Sequence, residues 1–498
     1  MIPAVAGAAA LLLLSGIVLR SLKTRSPPGI PQIGHPGVVG YVFAALRFTV
    51  HSDEVIAEGA STFKGGPFAV PTLAGWFIVL GKNHLDTLRT SNDATFNQPI
   101  AVNEALRLDY TMNLEQLRNP YQSIVARNDI TRGISAFIPE VLDETVLTME
   151  DTFRSTDGSG FISVPLFHTM TMMVGRISNR AMLGTELCRN RHFIHAVVGF
   201  AETLVLYAQL LNWTPTMLRP IVYFVLTLLF GGPKQPTKYI LPYVEKRLRE
   251  RETSPDDGPY NITEFLINAA PATDSTADIV MRILNLNFGS IHTTSIFGSQ
   301  AIFEMAVMRK EDLNSIREEV IQALDEEGGW NKASLARFRK LDSILREVGR
   351  VYGLALMAMN RLALHDTVLV DGTVIPAGWT VSLNLRDIHL DPDIYPNPEV
   401  FDPFRFSKLR HEEESSVKHG FTTIDPHYIP FGAGRHACPG RFFAAMELKI
   451  MLAHLLLNYD FRLVDSERPQ NVVFHGSALP NQKAHVIFSP RSTPGKVA

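Results

Sequence analysis

Phe431, Gly432, Ala433, Gly434, Arg435, His436, Ala437, Cys438, Pro439, Gly440 is the stretch that decides the fold, because it sets a cysteine at the head of an apolar run with helical spacing over residues 441–457. The first N–H groups of a helix lack intrahelical partners and carry partial positive charge, so they pull a thiol pKa down and can donate to a metal-bound sulfur. Proline directly after the cysteine costs no helical hydrogen bond there. Gly432 and Gly434 permit turns and close backbone approaches that a side chain blocks, as a flat macrocycle lying on the loop requires, and Gly440 gives the same clearance beyond the cysteine. Arg435 and His436 offer positive charge to carboxylates, and Phe431 can cover the sulfur from water.

Outward from this block, Glu347 and Arg350 lie three apart in a helical stretch over 341–351, so they share a face and can pair. A segment Pro403, Phe404, Arg405, Phe406 follows before the cysteine block. Residues 274–308 contain no proline and predict one helix of roughly 50 Å, long enough to traverse the core. Inside it stands a run of small and polar residues: Gly289, Ser290, His292, Thr293, Thr294 and Ser295, with Ile291 among them. Mid-helix threonine is unfavourable by propensity, and its hydroxyl ordinarily bonds a preceding carbonyl.

The 498 residues carry 47 basic and 50 acidic side chains, a formal charge of −3 that gives no global attraction to nucleic acid or an anionic surface. The two cysteines, Cys188 and Cys438, allow at most one disulfide and no thiolate-only zinc site, which fits a reducing compartment with Cys188 as a buried, inert thiol. A phosphate-cradling lysine loop, a nucleophile elbow and a paired-histidine zinc helix are all missing from the sequence.

Residues 5–19 are apolar except for Ser15, and Arg20, Lys23 and Arg25 follow. As a helix this run would be roughly 25 Å long, which with flanking residues spans a bilayer. No small-x-small cleavage pattern follows; instead come Pro27, Pro28, Gly29 and Pro31. The organisation read from this is a membrane anchor over 1–25, a Pro/Gly-rich hinge over 26–40 and a single catalytic domain over 41–498. Basic residues after the anchor place the body in the cytoplasm, on the endoplasmic reticulum membrane in a eukaryote, where the sequons at Asn212 and Asn261 escape glycosylation. A second apolar concentration, 218–230, reads either as a buried helix or as a surface dipping into the membrane. Short strands are expected over 68–70 and 76–80, helices through the middle, and strand and turn character over 368–380.

The cysteine block resembles the signature of cytochrome P450: Phe431, Gly434, Cys438 and Gly440 match it, while His436 stands where arginine is usual and Arg435 lies one place earlier. The resemblance covers essentially the whole chain. It implies a mainly α fold with a small β domain, preceded by one transmembrane helix, and a haem b with Cys438 as axial thiolate. Glu347, Arg350 and Arg405 would form one buried network beside the haem. Arg361, Arg435 and His436 would face the propionates, with Arg127 as the nearest candidate in place of the family's tryptophan motif. Gly289 to Thr293 correspond to the distal motif. His292 replaces its acidic residue as a proton carrier, and Thr293, beside Thr294, would hold a water and steer a proton during oxygen activation.

The family further implies O2 as co-substrate and NADPH and flavins acting through a membrane-bound NADPH-cytochrome P450 reductase. The reductase would dock where Arg435, Arg441 and Lys449 offer positive charge. The substrate would be a lipophilic small molecule. The likeness of the 431–443 and 291–295 stretches to fungal enzymes of specialised metabolism, including diterpenoid oxidases, points to a terpenoid. Two other readings are a family member that isomerises or dehydrates without O2, which intact Thr293 disfavours, and a non-catalytic haem sensor or electron carrier.

Overall fold

The helix Thr276–Val307 starts where Ser275 and Asp278 close a reciprocal cap: Asp278 N donates to Ser275 Oγ at 3.3 Å and Ser275 N donates to the Asp278 carboxylate at 3.0 Å. Nothing breaks it for 32 residues, about 48 Å at the helical rise. The computed structural model describes residues 25–154, 160–232, 234–254, 258–413 and 418–492, so the anchor expected over 1–25 lies, except for Arg25, outside the described residues.

Ile279, Ile283, Ile291, Phe297 and Phe303 of this helix belong to the main hydrophobic core, together with residues of helices Leu166–Leu183, Arg339–Val351 and Arg441–Asn458. The expected mainly α architecture with a minor β part is therefore what the chain adopts. A smaller core lies on a five-stranded sheet, in which neighbours run Phe68–Thr72, Gly75–Leu80, Thr380–Asn384, Met357–Ala363, Phe96–Asn97. The first two strands contain the expected 68–70 and 76–80 segments and pair antiparallel with Phe68 opposite Val79. The first continues through Pro71, tolerated because that strand is at the edge, where a missing donor costs no ladder bond.

The Pro/Gly stretch behaves differently from the stiff linker expected over 26–40. Ile33 N donates to Ala69 O at 3.0 Å and Ala69 N to Pro31 O at 2.8 Å, pinning the segment against the sheet edge before helix Val38–Val50 begins.

The second apolar concentration forms helix Arg219–Phe230, of which only Arg219 and Leu226 are buried. Ile221, Phe224 and Leu228 are 59%, 68% and 76% exposed, which overturns the buried-helix alternative. Val39 and Phe43 are likewise exposed on Val38–Val50. Among the described residues one helix, Arg191–Trp213, is long and apolar enough to cross a bilayer, and half of it is buried. Phe193, Val197 and Leu204 seat it in the main core. The sequon side chains are occupied: Asn212 Oδ1 accepts from Arg107 Nε at 2.6 Å, and Asn261 Oδ1 caps a helix through Glu264 N at 2.9 Å.

Candidate active site

Cys438 N donates to Phe431 O at 2.8 Å, closing the loop into a hairpin-like turn whose glycines do the bending, Gly432 at φ +69° and Gly434 at φ +71°. A Cβ on Gly434 would stand 2.4 Å from Arg89 O, so this position also lets two backbones touch. Helix Arg441–Asn458 follows Gly440 directly, and the N–H groups of Gly440 and Arg441 face the Cys438 sulfur. They and the Arg441 guanidinium pull the thiol pKa down, but burial pushes it up by more. The helix-start N–H groups thus act in the direction expected, against the desolvation of a sulfur in an apolar pocket. Phe431 stacks on Phe297 at 6.0 Å and meets Phe421 edge-on at 5.1 Å, an aromatic wall beside the sulfur.

Between this loop and the long helix lies a cavity of about 370 Å³. Cys438, Pro439 and Gly440 form one side, Gly289, Ser290, Thr293 and Phe297 the other, and no Asp, Glu, Lys, Arg or His lines it. A Cβ at Gly289 or at Gly440 would meet nothing within 4 Å, so both glycines hold open space. Thr293 Oγ1 donates to Gly289 O at 2.7 Å, which leaves its lone pairs toward the cavity. Thr294 lines the same cavity and is 2% exposed.

His292, expected as a proton carrier beside Thr293, is not part of the wall. Its ring meets the Val198 carbonyl on helix Arg191–Trp213, with Glu202 as nearest carboxylate, and burial pushes its pKa down. The helical turn explains this: adjacent residues project about 100° apart, so with Thr293 facing the cavity His292 faces the neighbouring helix.

At the rim, Arg361 sits on strand Met357–Ala363 just past an irregularity between Ala358 and Arg361, where Met359 has φ +59°. Such a bulge re-aims the side chain that follows it. Arg361 is 4% exposed, donates to Asn360 O at 2.9 Å and has no carboxylate within ion-pair distance among the described residues; burial holds its pKa down at about 10. Arg435 donates to Ser91 O at 2.8 Å and lies 3.6 Å from Asp93, while His436 Nε2 meets Asp93 at 2.8 Å. Sequence reading missed Asp93, which lies more than 300 residues away without a local pattern. Arg127, on a π-helical turn Ala126–Ile130, donates to Arg435 O at 2.8 Å and is exposed.

The structure does bring Glu347, Arg350 and Arg405 together. Glu347, fully buried, accepts from Arg350 Nε and Nη2 at 2.8 and 2.7 Å and from Arg405 Nε at 3.1 Å, and Asp402 N adds a bond of 3.0 Å. The spare guanidinium donors reach the carbonyls of His389, Pro398 and Pro396. Of the three cations expected at a docking face, Lys449 is withdrawn: it is 12% exposed and paired with buried Asp342. Arg441 is half-buried and donates to Cys438 O at 2.9 Å. Arg127, Arg435 and Arg441 still surround an outer depression of about 230 Å³ next to Pro439.

The family model described as Cytochrome P450 matches residues 85–488. A cytochrome P450 monooxygenase of Postia placenta is 34% identical over 493 residues, covering 97% of this chain and 98% of the relative. Another, from Ganoderma lucidum, is 30% identical with 93% and 92% covered. An ent-kaurene oxidase of Gibberella fujikuroi is 29% identical with 96% of each covered. The residues present suit a haem: a sulfur on one wall, two glycines leaving the slot open, and near Arg435 of the cysteine loop a buried guanidinium with no ion pair among the described residues.

Proposed function

The chain belongs to the cytochrome P450 family and is a haem-thiolate monooxygenase fed with NADPH electrons through a reductase, and from that premise we propose that Cys438 is the axial ligand, that the cavity against it takes the haem, and that a lipophilic, terpenoid-like substrate lies on the Thr293 side. The observation carrying this is the cavity itself: bounded by Cys438 and Thr293, and without a charged side chain in its lining. Met182, Ile262, Leu286, Phe297 and Leu354 give that lining the apolar character that the flat faces of a haem and a lipophilic substrate beside it both require.

The haem, when bound, supplies oxygen activation and transfer of one oxygen atom. The chain's own residues orient and protect. Arg361 would take a propionate as the anion its burial calls for, with Arg127, Arg435 and His436 completing the rim. Glu347, Arg350 and Arg405 fix the segment beneath the cysteine loop. Thr293, its proton committed to Gly289 O, offers lone pairs that hold a water in the cavity and so keep a proton source above the ring. His292 would feed that source only from behind the wall. The ent-kaurene oxidase relative supports a terpenoid substrate.

The exposed apolar faces of Arg219–Phe230 and Val38–Val50 support a body resting on the endoplasmic reticulum membrane beside an N-terminal anchor. The reductase would use the depression lined by Arg127, Arg435 and Arg441.

Reduced protein exposed to carbon monoxide should give the red-shifted Soret band of thiolate ligation, and Cys438→Ser should abolish it; an unchanged band in that variant removes Cys438 as ligand. Thr293→Ala should keep NADPH consumption while lowering product per O2 consumed by roughly 100-fold, the lower end for positioned proton transfer. Unchanged coupling takes Thr293 out of the chemistry. Product profiling in a reductase-bearing host identifies the substrate.

A further inference from the structure

Residues 112–120 run along the edge of the Cys438 cavity, and polar side chains hold them there more than core packing does. Met112 Sδ lies 3.6 Å from Asn285 Nδ2 of the cavity lining, and Ser123 of the same lining follows the segment at its other end. Among residues 112–120 the one buried side chain is an amide, Gln116. The fastening comes from the start of the long helix. Asn113 Nδ2 donates to Asp278 Oδ1 at 2.8 Å, and Tyr121 Oη donates to Asp274 Oδ2 at 3.0 Å. Arg282, 0% exposed, lies 3.8 Å over the Tyr121 ring and reaches Asp274 Oδ2 at 3.4 Å. Its Nη1 donates to Asn119 O and Gln122 Oε1 at 2.7 and 2.6 Å, so one guanidinium ties the end of the segment to the helix. Arg282 Nη2 and both amide atoms of Gln116 have no hydrogen-bond partner among the described residues.

We propose that residues 112–120 are a flap gating the passage of ligands between the haem slot and solvent, and that Arg282, with Asp274 and Tyr121, is its latch. The inference rests on reading the Cys438 cavity as the haem slot. Segments with few buried apolar side chains open at a fraction of the global unfolding free energy. The flap fits that description, and its closed form also holds a buried amide and a guanidinium N–H unpaired, a cost relieved when they meet water. The latch opposes this, because its charged hydrogen bonds and ring contact are lost only when the segment lifts from the helix. The ends suit a hinged motion. Arg107, at φ +48°, stands before the short helix Leu108–Thr111 in the left-handed region uncommon for a non-glycine residue, and Pro120 bounds the other end. Latch strength thus sets how often the slot is open, and so entry and exit rates together, without altering the site a ligand occupies.

The test uses the full-length ferric holoprotein, with 4-phenylimidazole binding followed by stopped-flow spectroscopy and amide hydrogen exchange of residues 112–120 followed by mass spectrometry. Asp274→Asn combined with Arg282→Met removes both charges of the latch and strands neither. Flap exchange, association and dissociation should each accelerate about 10- to 100-fold, the size of a charged hydrogen bond, with the dissociation constant within about twofold of wild type. Tyr121→Phe, which keeps the ion pair, should raise the same three rates about 2- to 10-fold. Faster exchange without faster association, or neither change in both variants, overturns the flap; so does a shift in the dissociation constant carried by one rate alone. If the double variant fails to fold, the Tyr121→Phe rates decide by themselves. The carbon monoxide spectrum of the same samples reports thiolate ligation independently, so loss of the haem reading and loss of the latch look different.

Discussion

Two arginine clusters, each with a buried arginine at its centre, are complete to different degrees. In the first, Arg350 is 2% exposed and every polar edge of its guanidinium has an acceptor: Glu347 twice, then the carbonyls of His389 and Pro398. In the second, Arg361 is 4% exposed and bonds only Asn360 O. Arg435 and Asp93 stand near it, and Asp93 already holds His436. Burying a charge is costly unless it is paired. The first group meets this rule with protein atoms alone and so belongs to the fold; the second, among the described residues, has no ion pair at Arg361, which is the ground for proposing that an anion from outside completes it.

Glu347→Ala should strike the closed group hardest, removing about 3–5 kcal/mol because Arg350 is left buried without its carboxylate. Urea unfolding followed by far-UV circular dichroism measures it, and a loss below about 1 kcal/mol would mean that the carbonyls alone satisfy the arginines. Arg361→Met should do the opposite. Haem affinity should fall roughly 10- to 100-fold, the range for a charged hydrogen bond, while the haem-free protein keeps or gains stability. Haem transfer to apomyoglobin gives the affinity; a variant that is destabilised without haem but retains its affinity erases the distinction between the groups.

Glu447 sharpens the comparison from the acidic side. Like Glu347 it is fully buried, but its partner is a single hydroxyl, Ser178 Oγ at 2.7 Å, and burial pushes its pKa from 4.5 up to about 8. Between those values the folded state holds a proton that the unfolded chain releases, so stability falls as pH rises through the window, by at most about 1.4 kcal/mol per pH unit. Glu447→Gln should flatten that slope and leave the variant more stable than wild type above about pH 8. Denaturant midpoints at three pH values decide it; parallel slopes would show that Glu447 is ionised in the fold. The smallest effect is expected of Arg127→Ala, an exposed side chain: stability within about 0.5 kcal/mol, with reductase-supported turnover lower at low salt and less salt-sensitive than before. A large drop in melting temperature would place Arg127 with the closed group instead.

Much of the active site was legible because its parts are short-range. Phe431, Gly434, Cys438 and Gly440 act through turn geometry and a helix start, which nearest neighbours dictate, and the Glu347–Arg350 spacing is a helical repeat. The long helix could be read from an uninterrupted run without proline, and its cap at Ser275 and Asp278 is equally local. Asp93 beneath His436 gave no such sign, since its partner lies on a distant segment. The same holds for Lys449, which looked like a surface cation until Asp342 was found against it.

What the sequence determined by itself is the chemistry available: one cysteine at a helix head, a threonine in a long helix, a carboxylate with two arginines, an apolar N-terminal run. Tertiary structure alone decided the directions in which these groups face. His292 turned to Val198 because the helix presents Thr293 inward, Arg361 turned toward Asp93 and Arg435 at a bulge in its strand, and Arg219–Phe230 stayed open because nothing among the described residues packs over its outer face. Local spacing fixes which residues share a helix or a turn, but which face meets the core depends on contacts between segments hundreds of residues apart, and those exist only once the chain has folded.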